Sequence, residues 1–161
     1  MNWTLVTGRV RIVAPPVRIW PWLAEPRSWP VWNPKVGELL PLSVDAPRAG
    51  YRFRLTYRPG KRSNRVEAEI VEFRAPEQLV CRISGGDLAP GGVVFERYSL
   101  RQAERGTLLT HSVDLGQSRM PVLARVAAVV MARLFNPRGE LGHVANLKAL
   151  IEDGVPPPEP A

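Results

Sequence analysis

The sequence is poor in the residues that carry most disulfide and metal chemistry. Cys81 is its single cysteine among 161 residues, so no intrachain disulfide can form and nothing demands an oxidising compartment. The two histidines, His111 and His143, stand far apart along the chain, and with one cysteine they cannot assemble the usual zinc set. No metal and no cofactor is therefore expected. The nucleophile-elbow, phosphate-loop and dinucleotide fingerprints are also missing. Gly85-Gly86 and Gly91-Gly92 have no following helix and lysine, and read as hinges of a loop. The longest uncharged apolar run, Val126 to Ala132, falls far short of the ~20 residues that span a bilayer. Met1-Asn2-Trp3-Thr4 lacks the charged and apolar regions of a secretory signal, so a cytoplasmic location is the expectation. Lysine is scarce too: the 22 basic residues include only Lys35, Lys61 and Lys148.

What is present suits a folded domain. The chain is 45% hydrophobic, enough for a core at this length. A single ligand-binding domain is expected over residues 1–153, with a Pro-rich tail over 154–161. The formal charge is +7. Arginines are scattered rather than clustered, and Arg52, Arg54 and Arg58 alternate with apolar residues as the solvent face of a strand does. No nucleic-acid partner is expected from such a spread.

Hydrophobic period sets the organisation. Residues 5–13 alternate, with Val6, Gly8, Val10 and Ile12 on one face and Thr7, Arg9 and Arg11 on the other. Ala14-Pro15-Pro16 ends that strand, and Pro16 can open a short helix to Ala24, with Ile19, Trp20 and Leu23 inward. Pro21 should distort or shorten it. A second helical turn is expected at residues 26–32. Strand-like runs follow at 36–44, 51–58, 66–71, 79–84, 93–100 and 107–115, separated by turn signals such as Pro59-Gly60 and Glu104-Arg105-Gly106. From Met120 the period becomes helical, with Leu123, Ala127, Val130, Met131 and Leu134 on one stripe. Asn136-Pro137 and Gly139 should interrupt this helix before it resumes to Ile151. Consecutive strands beside segregated helices mean an α+β fold with an antiparallel sheet, here seven-stranded and curled around a long C-terminal helix.

Val10-x-Ile12-x-Ala14-Pro15-Pro16-x-x-Ile19-Trp20-x-x-Leu23, followed by Pro26-x-x-Trp29-Pro30-x-Trp32-Asn33-Pro34, resembles the opening of the SRPBCC superfamily. That group includes START-like (helix-grip) domains and the polyketide cyclase/dehydrase-like family. Gly106-Thr107-x-Leu109-Thr110, Gly116 and Leu147-Lys148-x-Leu150-Ile151-Glu152 fit the rest of the pattern, over residues 5–153. The resemblance implies a helix-grip fold with an internal cavity for lipids, sterols, hormones or polyketides, and in a minority of members cyclisation or dehydration.

Several residues could serve such a cavity. Trp29 to Pro34 are read as anchors of the short helices, since large aromatics contribute burial first. The cavity lining is expected from Tyr51, Phe53, Leu55, Tyr57, Ile83, Phe95, His111, Leu123, Ala127, Val130, Met131 and Leu134. His111 shares strand parity with Leu109 and Val113; an inward imidazole could exchange protons or hydrogen-bond a ligand. Arg97 is the other candidate for chemistry if it faces inward, with solvent exposure as the alternative. His143 is expected at the surface, Glu67, Glu69 and Glu96 in cross-strand pairs with arginines, and Cys81 as a buried inert thiol. In an antiparallel meander the loops near 58–64, 85–92 and 116–120 should meet at one end and form the mouth. The functional expectation is a binder of an apolar, lipid- or polyketide-like small molecule acting without catalysis, as monomer or homodimer. The alternative is a polyketide aromatase/cyclase or dehydratase using Tyr51, Tyr57, Arg97 and His111 for acid/base chemistry.

Overall fold

The computed structural model describes residues 3–58, 61–135, 142–157 and 159. In chain order they form β1 (Thr4–Ile12), α1 (Pro16–Ala24), a 3-10 turn (Pro26–Ser28), α2 (Trp29–Trp32), β2 (Val36–Pro41) and β3 (Arg52–Tyr57). β4 (Asn64–Arg74), β5 (Gln78–Gly85), β6 (Val93–Ala103), β7 (Gly106–Asp114), α3 (Val122–Phe135) and α4 (His143–Glu152) follow. The seven strands make one antiparallel sheet in the order β1-β7-β6-β5-β4-β3-β2. β1 therefore closes onto β7, and α1 and α2 carry the chain from one sheet edge to the other. Register shifts in β1, β2 and β4 mark bulges, which bend strands and deepen the curl.

α1 keeps nine residues despite Pro21. The carbonyl that loses its partner belongs to Val17, which is 65% exposed, so water can take the place of the missing N–H. Trp22 joins Ile19, Trp20 and Leu23 in the core. The Ala14-Pro15-Pro16 corner is pinned to β7 by Thr107, whose hydroxyl donates to the Ala14 carbonyl at 2.7 Å in a buried site. Gly106, at φ 108, is needed there: a Cβ would lie 2.1 Å from the Ile12 carbonyl oxygen.

Two described helices, α3 and α4, make up the C-terminal region. α4 does the gripping, burying Val144, Leu147 and Ile151 on its inner face. Lys148 Nζ donates to the Arg11 carbonyl at 2.7 Å and pairs with Glu152, whose carboxylate accepts the Val13 N–H at 2.9 Å. Gly154 ends α4 at φ 77; its N–H reaches the Ile151 carbonyl and the Val155 N–H reaches that of Leu150. α3 buries none of its residues. Its apolar stripe, Leu123, Ala127, Val130, Met131 and Leu134, faces solvent instead of the sheet. Arg125 fixes its first turn, stacking over Trp3 and donating to the Gly116 carbonyl at 3.3 Å. The interruption expected at Asn136-Pro137 and Gly139, and the turn at Pro59-Gly60, lie outside the described residues.

α4 approaches β1 closely over Gly8. A Cβ on Gly8 would sit 2.5 Å from Val144 Cγ2, a stiff and fully buried side chain. Gly8→Ala should therefore destabilise by about 1–3 kcal/mol, as overpacking in a filled core does. Val144→Ala removes the colliding methyls, so the double variant should be more stable than the sum of the two single losses allows. Urea unfolding of all four proteins checks this; strictly additive losses would show that the two residues do not collide.

Candidate functional site

Two cavities open on the concave side of the sheet. The larger, about 360 Å³, is walled by Leu55, Val66, Ile83, Val94, Val113 and Leu115, with Trp29 of α2 across it. The second, about 330 Å³, is more polar and reaches α3 and α4 through Ala132 and His143. Asn33, Tyr57, Glu96 and Val113 line both, so these four residues form the waist between them.

Around the waist lies a buried polar cluster. His111, 3% exposed, projects from β7 beside Glu96 of β6, with Nε2 3.6 Å from Glu96 Oε2. Its other nitrogen, Nδ1, hydrogen-bonds the Thr7 hydroxyl. Thr7 reaches it because the β1 bulge falls there: Val6 pairs with Ser112 and Gly8 with His111, leaving Thr7 as the extra residue. Bulges re-aim side chains, and this one brings both Val6 and Thr7 to the cavity wall. Since Glu96 is acceptor-only when ionised, the imidazole proton belongs on Nε2, with the Thr7 O–H donating to Nδ1. His111 Nε2 has no hydrogen-bond partner within normal distance. Tyr98 stacks on His111 with ring centroids 4.4 Å apart, and its hydroxyl donates to His143 Nε2 at 3.3 Å.

Electrostatics follow burial. His143 is pushed down to about 3, first by burial and then by the neighbouring positive potentials of His111 and Lys35. Burial pushes the Tyr98 phenol well above its ordinary value, with the Glu96 charge adding to it. Tyr57 is raised for the same two reasons, and so is the Cys81 thiol. No group of three or more His, Cys, Asp or Glu side chains that could hold a metal occurs among the described residues. None of the described helices is long and apolar enough to cross a membrane.

The loops at the other end of the larger cavity meet, as the meander requires. Asn64 Nδ2 donates to Asp87 at 2.8 Å, the Val93 N–H to the Gln117 carbonyl at 2.9 Å, and Arg119 to the Pro90 carbonyl at 3.0 Å. Leu88 and Met120 close the wall there.

Residues 4–152 match the family model described as polyketide cyclase / dehydrase and lipid transport. The chain belongs to this family. Among solved structures, a Thermus thermophilus protein, TTHA0849, is 14% identical with a TM-score of 0.67, over 94% of this chain and 99% of that one. A Rhodobacter sphaeroides protein is 20% identical with a TM-score of 0.62, over 90% of both chains. The di-domain ARO/CYC StfQ from the steffimycin biosynthetic pathway is 16% identical with a TM-score of 0.66; this chain is 92% covered and spans 52% of that one. Identities this low speak for the fold, a helix-grip sheet, and not for activity. No curated protein matches.

Leu55, Tyr57 and Ile83 line the larger cavity, and Tyr57 and His111 the second. Tyr51 and Phe53 are buried in the core at the far end of β3, Phe53 edge-on to Trp29 at 5.4 Å, and line neither cavity. Phe95 and Arg97 have the opposite strand parity to Val94, Glu96 and Tyr98, so they lie on the outer face, Arg97 exposed. Leu123, Ala127, Val130, Met131 and Leu134 line neither cavity, because α3 turns that stripe outward.

Two polar residues lie on the side opposite to expectation. Glu96 faces inward, unlike Glu67 and Glu69, which pair with Arg54 at 2.6 Å and Arg82 at 3.9 Å on the outer face. Its parity with Tyr98 and Leu100 is the available signal. His143 is buried, not exposed: it stands one helical turn before Leu147 and shares its face.

The His143 ring supplies a pH test. The unfolded chain protonates it near 6.5, whereas the folded protein resists until about 3. The resulting stability is complete above pH 6.5 and is lost as pH falls towards 3. In urea unfolding, the stability of wild type relative to His143→Gln should fall between about pH 7 and pH 4. A constant difference across that range would mean that the ring is not shielded.

Proposed function

We propose that this chain binds an apolar small molecule in the larger cavity, its polar end at the waist formed by Tyr57, Asn33 and Glu96. The supporting observation is the aliphatic wall of that cavity, closed at one end by hydrogen-bonding groups. Ligand sites commonly have this build, apolar surface for affinity and a few polar groups for orientation. The family description names polyketide cyclisation, dehydration and lipid transport. Lipids and polyketides are both apolar enough for such a wall. The loop at 85–92 fits a lid: Gly85, Gly86 and Gly91 all have positive φ, and Leu88 projects into the lining.

The catalytic alternative built on Tyr51, Tyr57, Arg97 and His111 requires convergence in one pocket. Arg97 is exposed on the outer face and Tyr51 lies outside both cavities, so that set carries no proposal.

Native mass spectrometry of gently purified protein should reveal a retained small molecule. Titration of the emptied protein with the bicyclic ketone 2-tetralone should change tryptophan fluorescence saturably, since Trp29 borders the cavity. Ile83→Trp fills the space and should weaken binding at least about tenfold, with circular dichroism unchanged. Absence of both a retained and a bindable ligand would sink the reading.

A further inference from the structure

Some carboxylates of this protein sit beside a cation, and others, the buried Glu25 among them, have none within 4 Å among the described residues. Glu67, Glu69, Glu72 and Glu152 each sit within 4 Å of an arginine or lysine. Glu96 has no such cation; among the described residues its one charged-group neighbour is the His111 ring, at 3.6 Å. Yet its side chain is only 19% exposed and looks onto both cavities. A carboxylate at an apolar waist calls for hydrogen-bonding partners, and a ligand can be one of them. Tyr57, whose phenol can donate a hydrogen bond, lines both cavities at the same waist. An acceptor-only group and a donor thus flank one space. That pair complements an enolisable carbonyl, whose oxygen accepts a hydrogen bond while the adjacent carbon gives up a proton.

We infer that the waist is a proton-transfer site for apolar ketones, with Glu96 as the base and Tyr57 as the hydrogen-bond donor to the carbonyl oxygen. The Glu96 carboxylate takes a proton from the carbon next to the carbonyl and becomes a carboxylic acid. The C–H electron pair moves into the C–C bond, and the carbonyl electrons move onto oxygen, where Tyr57 O–H stabilises the enolate. The same acid then returns a proton to carbon, so no oxidant, reductant or co-reactant is needed. His111 is a positioning residue. Thr7 holds its Nδ1, which directs Nε2 toward Glu96 Oε2 at 3.6 Å. Burial raises both Tyr57 and Tyr98, and the Glu96 charge adds to each.

This inference rests on the ligand-binding reading and deepens it. The test is exchange of the acidic C–H protons of 2-tetralone in D2O, followed by ¹H NMR, beside the fluorescence titration. After proton abstraction the Glu96 carboxyl proton exchanges with solvent, and deuterium returns to carbon. Wild type should accelerate exchange above buffer. At ketone concentrations that the titration shows to be saturating for each variant, Glu96→Gln should slow it at least about 100-fold and Tyr57→Phe about tenfold or more. His111→Asn should slow exchange and shift its pH profile. The titratable and charged groups around Glu96 are Tyr57 from β3, Cys81 from β5, Tyr98 on β6 and His111 from β7, with His143 and Lys35 on the second cavity and Asp87 on the larger. Binding without acceleration, or full acceleration by a folded Glu96→Gln, overturns the catalytic inference and leaves ligand binding standing. Failure of wild type to bind the ketone overturns both. Should Glu96→Gln not fold, unchanged exchange by folded Tyr57→Phe and an unchanged pH profile for His111→Asn overturn the inference.

Discussion

The contact between α4 and β1 over Gly8 organises the inside of this protein. Gly8 has no side chain, so Val144 can sit directly on the strand. The same approach sets the His143 ring 4.6 Å from that of His111. One residue earlier, the bulge turns Thr7 inward to His111. Packing, strand irregularity and polar chemistry are therefore coupled in a short stretch of β1. A regular β1 would send Thr7 to the outer face, and a larger residue at Gly8 would lift α4 away. Either change removes a neighbour from the polar cluster without touching Glu96 or His111.

The distribution of charge follows from the same enclosure. On the outer face, arginines and glutamates meet across neighbouring strands, Arg52 and Arg54 with Glu67 and Arg82 with Glu69. These pairs are solvated, and each contributes little to stability. Inside, Glu96 and the two imidazoles share a space walled by aliphatic and aromatic side chains, where charge is less screened. His143 responds by remaining neutral.

The sheet was legible because one face is buried along nearly every strand, and that writes a period of two into the sequence. Phe53 and Leu55 against Arg52 and Arg54 is the clearest case, and His111 with Leu109 follows the same rule. Three things were not legible. Glu96 follows the inward parity of Tyr98 and Leu100, but a glutamate in a strand is ordinarily placed outside, so composition overrode pattern. Thr7 is outward by parity if β1 is regular, and no residue type announces the bulge that turns it in. The stripe Leu123 to Leu134 has the spacing of a core-facing helix, and periodicity says which residues share a face without saying what that face meets. α3 turns it to solvent, Leu134 at 69% exposure, while Ala132 lies against the smaller cavity.

The residues that mark the family and the residues that could do chemistry are largely different sets. Ala14-Pro15-Pro16 and Gly106-Thr107 are locked by a backbone contact and a buried hydroxyl bond that any container of this shape needs. Lys148 and Glu152 tie the gripping helix to the end of β1. Glu96, Tyr57, His111 and His143 belong to none of these motifs. They sit at positions where the fold asks only for a side chain that fits an inward face. A helix-grip protein can therefore exchange its interior chemistry at a few strand positions while keeping every contact that closes the shell. Family membership accordingly predicts the shell well and the reaction poorly, and the polar waist of this chain has to be judged on its own geometry.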